Sequence, residues 1–429
     1  MAPALSTIAS DLNMNKTEAV MALSVYLLAT AFGPLLIAPL SEIYGRRPVL
    51  HTTNIWFLVW NLVCGFANNK GVLIASRLLA GLGASAIYVL ANGVLGDVWR
   101  PEQRGISLGI YSLVPLLGAA VGPIVGGFIT EYTSWRWMFW STSALQAVMI
   151  VVSLFIFDET YAPVRQRKRQ RKLDKQSQSS NDEGHPEPAT TLSAPSEAQL
   201  SLLHNLTRPL RMLLSEPIIQ IQACLSASNY GILYLVLSTF SDLYTSQYHE
   251  RISISGLHYL AMTAGEIAGA QIGGRAMDIL YRRRKARDQT PSPEQRILVM
   301  IPGAVLGPIG MLIYGWAAES HTHWAVVDLG ACILNIGMTI SGVAITAYMI
   351  DAYPLHVGSA SAASQFLKSM TAFGFPLFAP SMYGDGDGAL GHGWGNTLLG
   401  ILMVCVAGPA AVLIWRFGRG MRERGGWSA

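Results

Sequence analysis

The ionisable side chains of Glu266 and Lys368 lie deep inside long apolar runs in the second half of the chain. Glu266 stands in the run 253–277, and Lys368 stands in the run 357–383. A carboxylate among apolar groups takes up a proton more readily than one in water, so Glu266 is a candidate proton carrier or partner for a cationic substrate. A structural hydrogen-bonding role for Glu266 is an equal alternative. Lys368 either meets an anionic substrate or extends its amine towards the nearer membrane surface.

Uncharged polar side chains also fall within apolar runs of this half. They are Gln220, Gln222, Asn229 and Asn335. Amide groups in such runs either contact a substrate in a cavity or hydrogen-bond a neighbouring helix, and both interpretations stay open. Asp328 falls near the end of a run, where we expect its carboxylate to be solvated.

Patterns for other chemistry are missing from the sequence. Neither G-x-x-x-x-G-K-[S/T] nor H-E-x-x-H occurs, so ATP hydrolysis and zinc-dependent proteolysis have no support. The 4 cysteines lie in apolar runs without a C-x-x-C spacing, which disfavours a disulfide framework, a metal site or a redox pair. We therefore expect a protein that is not an enzyme and that needs no metal or cofactor.

The composition is that of a chain in lipid. Of the 429 residues, 51% are hydrophobic and 13% charged, whereas soluble domains carry about 25% charged residues. The net charge of +4 does not suggest nucleic acid as a partner. Runs long enough to cross a bilayer as helices predict an all-α multispanning membrane protein with about eleven full spans. They lie near 19–40, 49–69, 71–96, 105–130, 137–157, 217–240, 253–277, 297–318, 324–350, 357–383 and 393–415.

Basic residues occur in alternate loops. Lys and Arg cluster after the first, third, fifth, seventh and last runs, the loop near 351–357 is weakly charged, and the other loops carry mainly Asp and Glu. By the positive-inside rule the basic loops and the C-terminus are cytoplasmic. Asn15, in the glycosylation sequence Asn15-Lys16-Thr17, then lies on the outer side, close to the membrane.

A polar connector over 158–214 separates two groups of runs, at 1–157 and 215–417, and residues 418–429 form a cytoplasmic tail. The Gln-, Ser- and Pro-rich part of the connector has the composition of a disordered tether. Leucines at helical spacing over 198–213 predict either an amphipathic helix on the membrane surface or more of the loop.

The charged turn Ser41–Pro48 between the first two runs carries a family resemblance. Ala38, Glu42, Gly45, Arg46 and Arg47 stand at the places of the pattern G-x-x-x-D-x-x-G-R-R. This pattern resembles that of the major facilitator superfamily, specifically the fungal drug:proton antiporter family with twelve spans. Glu in place of Asp keeps the charge, and Ala in place of Gly permits a slightly less close helix contact.

Arg77 belongs to a second match, Arg77-Leu-Leu-Ala-Gly-Leu-Gly-Ala. An Arg within a span costs about 2.5–3.5 kcal/mol on insertion scales, so it faces a partner or a water-filled cavity, or it extends to the surface. The resemblance implies that Arg77 takes part in proton coupling.

A glycine-rich helix gives the third match. Its fixed positions agree with the antiporter pattern G-x-x-x-G-P-x-x-G-G and are Gly118, Gly122, Pro123, Gly126 and Gly127. Glycines four apart leave a groove for another helix, and Pro removes a backbone hydrogen bond and bends the span. The resemblance implies that this helix sets the exchange mode, and generic helix packing is the alternative.

Asp97 and Arg104 flank the next basic loop. The resemblance implies that they pair with the loop of Arg46 and Arg47, holding the cytoplasmic end closed in one state and releasing it in another.

The implied fold is two helical bundles around a central cavity. The implied function is export of a small organic compound, a drug, toxin or secondary metabolite, driven by a proton gradient across the plasma membrane, or across a vacuolar or vesicular one. We expect a monomer in lipid. An organic-acid exporter, with Lys368 or Arg77 at a carboxylate, and a non-transporting sensor or shortened variant are the alternatives.

The family's first helix is mostly missing from the predicted spans. One full span precedes the charged turn where the family has two, and Met1–Leu5 resembles the end of that first helix. We expect either a start within a longer protein or a genuinely shortened variant.

Overall fold

The structure is a computed structural model that describes residues 1–88, 90–91, 94, 118, 121–160, 164–166, 169–170, 207–285, 293–353, 357–384 and 390–424. Apolar runs of about 20 residues satisfy their backbone groups internally by forming helices, and the described chain is helical accordingly. The helices of the first half are α1 (Leu5–Asp11), α2 (Lys16–Tyr44), α3 (Arg46–Gly65), α4 (Lys70–Ala84) and α5 (Arg136–Ile156). Those of the second half are α6 (Pro217–Ser246), α7 (Ile252–Leu257), α8 (Tyr259–Lys285), α9 (Ile297–Glu319), α10 (Trp324–Ala352), α11 (Val357–Tyr383) and α12 (Gly391–Arg424). Residues 121–132 and 207–215 are also helical.

Seven helices of the described residues are long and apolar enough to span a membrane by length and composition. Successive long helices run in opposite directions, so their ends define two faces. We call the face with Gly45 at the α2–α3 turn the arginine face. The opposite face, with His258 between α7 and α8, is called the histidine face. The segment 121–132 is the described part of the predicted span 105–130.

Local capping explains several helix starts. Asn15 begins α2 through a capping box, in which its side chain accepts a hydrogen bond from the Glu18 N–H while the Glu18 carboxylate accepts one from the Asn15 N–H. Asn69 caps α4 by accepting a hydrogen bond from the Val72 N–H. Pro217 occupies the first turn of α6, where its missing N–H costs nothing.

The helices pack in two groups. In the first half α3 and α4 pack together with α2 and α5, while in the second half α6 packs on α11, α8 on α10, and α9 on α10 and α12. Helices α2 and α11 join the halves. Each group has its own apolar core, which contains Ile8 and Leu73 in the first and Phe240 and Tyr314 in the second.

Two features near the arginine face differ from the sequence-based expectation. The charged turn expected over Ser41–Pro48 shrinks to Gly45, because α2 continues to Tyr44 and α3 begins at Arg46. Helix α12 continues to Arg424, beyond the predicted 393–415, and its extension is held by an ion pair of 2.8 Å between Arg422 and Glu294.

Candidate functional site

A cavity of about 510 Å³ lies in the second half. Helices α6, α8, α10 and α11 supply its walls, which mix amide, hydroxyl, acidic and basic groups with aliphatic ones. The lining residues are Ser226, Asn229, Tyr230, Leu233, Glu266, Asn335, Met338, Thr339, Gly342, Val343, Thr346, Ala347, Ile350 and Lys368. The lining extends from the middle of α10 to Ile350, close to the arginine-face end of that helix. A cavity of this size takes a drug-sized organic molecule.

Glu266 and Lys368 both line this cavity. The ammonium group of Lys368 on α11 lies 5.0 Å from the ring centroid of Tyr230 on α6, a cation–π distance. Glu266 on α8 is half-buried in the same lining. The cavity therefore presents an acid, a base and an aromatic face to whatever enters it.

Of the four predicted amide residues, Asn229 and Asn335 line the cavity, and Gln220 and Gln222 do not. Asn335 is buried and donates a hydrogen bond to the Ala331 carbonyl oxygen at 2.9 Å, and Asn229 is half-buried. Gln222 donates to the Ser364 hydroxyl at 3.2 Å. Gln220 is exposed near the arginine-face start of α6 and donates to the Leu214 carbonyl oxygen at 2.9 Å, outside the lining.

The halves meet beside Lys368. The hydroxyl groups of Thr30 on α2 and Ser369 on α11 lie 3.0 Å apart, and both residues are buried. Phe32 and Phe366 make an edge-to-face ring contact at 5.5 Å in the same seam. Thr30 and Ser369, which are 339 residues apart in sequence, therefore join the two halves next to the charged wall of the cavity.

Arg77 lies within the first half. Its Nε donates to the Ala22 carbonyl oxygen at 3.4 Å, and its guanidinium carbon lies 4.6 Å from the ring centroid of Tyr26. Both contacts are with α2, the helix that packs on α11 of the second half.

The arginine-face turn is braced by a carboxylate that follows α5. The two carboxylate oxygens of Glu159 accept hydrogen bonds from the Arg46 N–H at 2.9 Å and the Arg47 N–H at 3.3 Å. Arg47 also donates to the Leu154 carbonyl oxygen at 2.9 Å and lies 3.7 Å from the Asp158 carboxylate. The carboxylate thus holds the start of α3, where a helix N-terminus favours negative charge.

Three other residues that were predicted to act in the conformational switch are not among those that the structure describes in full. The side chain of Glu42 and the whole of Asp97 and Arg104 fall outside the described residues. Their role in closing the arginine face stays a prediction.

The glycine-rich segment contacts α7 at the histidine face. A Cβ at Gly127 would lie 2.8 Å from the Ile252 carbonyl oxygen, and one at Gly256 would lie 2.9 Å from the Pro123 carbonyl oxygen. Only glycine permits this approach of two backbones. Gly126 lies beside Met138, whereas Gly118 and Gly122 have no described neighbour within 4 Å of an added Cβ.

Sequence reasoning missed Glu159, Thr30 and Ser369. Glu159 had one usable signal, since an Asp-Glu pair directly after an apolar run is unusual on a side rich in Arg. Thr30 and Ser369 had none, because hydroxyl residues within spans are common and usually bond their own helix.

Antiparallel apolar helices in two packed groups, joined along a seam beside a cavity with acidic, basic and amide groups in its wall, define a multispanning membrane transporter. The family described as Major Facilitator Superfamily matches residues 1–376. The chain belongs to the Major Facilitator Superfamily, and the resemblance drawn from its motifs is confirmed. Its all-α fold is that of this family.

Fungal transporters are among its relatives. Probable efflux pump mfs2 of Aspergillus flavus is 52% identical over 426 residues, which cover 99% of this chain and 99% of that protein. Efflux pump vrtL of Penicillium aethiopicum is 40% identical over 425 residues, 98% of this chain and 82% of that protein. A D-xylose–proton symporter of known crystal structure is 16% identical with a TM-score of 0.70, over 97% of this chain and 92% of that one. That structural likeness concerns the fold alone.

Proposed function

We propose that this transporter exports small organic compounds in exchange for protons. The cavity carries the proposal, because it places the Glu266 carboxylate and the Lys368 ammonium around a space large enough for a drug-sized molecule. The names of the fungal relatives, efflux pumps, support the direction of transport.

Glu266 is the proposed exchange group. A carboxylate in a half-buried, partly apolar wall can hold either a proton or a cationic substrate, and the two exclude each other electrostatically. Proton binding would release the substrate, and deprotonation would prepare the next cycle. The Arg77–Tyr26 contact is the proposed relay to the first half.

The proposed orientation places the arginine face in the cytoplasm. The described basic residues on this face include Arg46 and Arg47 at the braced turn, and Arg416, Arg419 and Arg422 near the end of α12. The cavity then receives its substrate from the cytoplasm, and protons arrive from the histidine face. We propose a monomer in the plasma membrane, with the connector and C-terminus cytoplasmic.

Lys368 favours a second candidate substrate class, organic acids. Its ammonium group faces the cavity, where it can pair with a carboxylate. Competition between dicarboxylates and amphiphilic cations for transport separates the two classes.

Cells that lack their own efflux pumps provide the first test. Cells expressing the chain should accumulate less of a fluorescent amphiphilic cation than control cells, and a protonophore should abolish the difference. Equal accumulation with and without the protonophore would overturn proton coupling.

A further inference from the structure

A histidine is held between two carboxylates at the histidine face, away from the cavity. The Nδ1 atom of His258 lies 2.7 Å from Asp328 Oδ2, and its Nε2 atom lies 2.8 Å from Glu250 Oε2. The Tyr244 hydroxyl donates to Asp328 Oδ1 at 2.7 Å, and its ring stacks on the imidazole at 3.8 Å. The histidine and both carboxylates are largely buried, so Asp328 is not solvated as the sequence suggested.

This geometry requires a bound proton. A neutral imidazole has one N–H and can donate to only one carboxylate, which leaves a lone pair facing the other. The imidazolium ion donates to both. Asp328 already accepts a hydrogen bond from Tyr244, which favours its ionised form, so the proton belongs on the ring.

The cluster is attached to the contact between the two halves. His258 directly follows α7, and α7 is the element that packs on the glycine-rich segment at Pro123 and Gly127. The Ser253 N–H at the start of α7 donates to the Glu131 carboxylate of the first half at 2.8 Å. His258 is therefore directly connected to the element through which the two halves meet at this face.

We propose that His258, Glu250 and Asp328 form a second proton-binding site, outside the cavity, that stabilises the closed state of the histidine face. Loss of the proton breaks one of the two carboxylate contacts and loosens α7 from the first half. In the orientation of the proposed function, a proton that binds from outside returns this face to its closed state once the substrate has left, and neutral to alkaline medium favours its opening.

The charged groups around His258 determine whether acid strengthens or weakens the closed state. Burial lowers the pKa of His258, but the hydrogen bonds and charges of Asp328 and Glu250 outweigh it and raise that pKa above its ordinary value of about 6.5. Stabilisation of the closed state is then full below about pH 6.5 and is lost as pH rises through the raised pKa. Tyr244, Tyr248 and Trp324 also face the cluster, and Glu131 and Arg251 lie at the α7 contact.

Distances across the histidine face test the proposal without any transport. Spin labels at Tyr132 and Ile254, both exposed, are introduced into a variant whose four cysteines are replaced, in lipid nanodiscs. Pulsed electron resonance then gives the distance distribution from pH 5 to 9. The short-distance population should dominate at pH 5 and give way to longer distances as pH rises.

The substitution His258→Gln should remove this pH dependence, and Glu250→Gln should shift its midpoint to lower pH. His321→Asn, at an exposed histidine of the same face whose positive φ of 47° Asn tolerates, should leave the wild-type profile. An unchanged profile in both cluster variants would overturn the proposal. Glu266→Gln should also keep the wild-type profile, and loss of the shift there would assign it to the cavity instead. Failure of proton-coupled export leaves this readout intact, so the two proposals fail separately.

Discussion

The hydroxyl groups of Thr30 and Ser369 lie 3.0 Å apart and link the two halves of the transporter beside the charged wall of its cavity. Transporters of this fold alternate between states by moving one half against the other around a central site. We expect the Thr30–Ser369 bond to hold in the state seen here and to break when the halves move apart. It therefore contributes to the balance between the states.

Thr30→Val should shift that balance away from the state seen here. The substitution keeps the shape and removes the hydroxyl, and a hydrogen bond of this kind contributes about 1 kcal/mol, or roughly a 5-fold change in the ratio of states. Accessibility of a cysteine placed in the cavity to a charged thiol reagent measures the ratio. Ser228→Ala, whose hydroxyl bonds only the Leu225 carbonyl among the described residues, is the control. No difference between Thr30→Val and this control would contradict the role of the seam.

Gly45→Ala should destabilise the protein. Gly45 has φ of +98°, and an added Cβ would collide with the Glu159 carboxylate. The combined effect should exceed about 1 kcal/mol, the usual minimum cost of such backbone strain. Thermal unfolding in detergent measures it, with Gly408→Ala as the control because its added Cβ meets no described atom within 4 Å. Equal unfolding temperatures for the two variants would show that the turn tolerates a side chain.

Protonation of the Asp11 carboxylate should make the folded protein less stable in acid. Hydrogen bonds from the Trp135 indole at 2.9 Å and Arg136 at 3.0 Å lower the pKa of the Asp11 carboxyl below its usual value. Its contribution is then present above about pH 4 and is lost as pH falls through the lowered pKa. Asp11→Asn should reduce the unfolding temperature at pH 7 and make no difference near pH 2–3. A pH-independent gap between the two proteins would contradict this assignment.

The aromatic ring of Tyr230 should contribute more to substrate affinity than its hydroxyl group. Its ring lies under the Lys368 ammonium, and such a contact contributes about 0.5–2 kcal/mol depending on solvation. Tyr230→Phe should keep substrate affinity within about 2-fold, whereas Tyr230→Leu should weaken it by roughly 2- to 30-fold. Concentration dependence of transport gives both values. Equal losses in the two variants would point to the hydroxyl instead.

The sequence predicted the fold well because lipid leaves a chain few choices. Apolar runs of spanning length must be helices, and their positions follow from composition. Helix ends were less predictable where they leave the apolar region: α12 continues as far as Arg424 because Arg422 finds Glu294, a partner 128 residues away.

The cavity was partly predictable for the same reason. Glu266, Asn335 and Lys368 attract notice because ionisable and amide groups are rare inside spans. Gln220 looked equivalent, but it stands three residues after Pro217 begins α6, close to the arginine face. Contacts such as His258 with Asp328 depend on which loop ends meet in three dimensions, and no periodicity in the sequence records that.

Proton-driven flux through reconstituted vesicles tests the central claim most directly. Vesicles containing wild type or Glu266→Gln are loaded at one pH and diluted into another, and uptake of a fluorescent amphiphilic cation is followed. Exchange of labelled for unlabelled compound without a gradient shows that the variant is folded. The flux through wild type should change with the gradient, and Glu266→Gln should keep exchange but lose this response. An equal response in Glu266→Gln, or a wild-type flux indifferent to the gradient, would contradict the account.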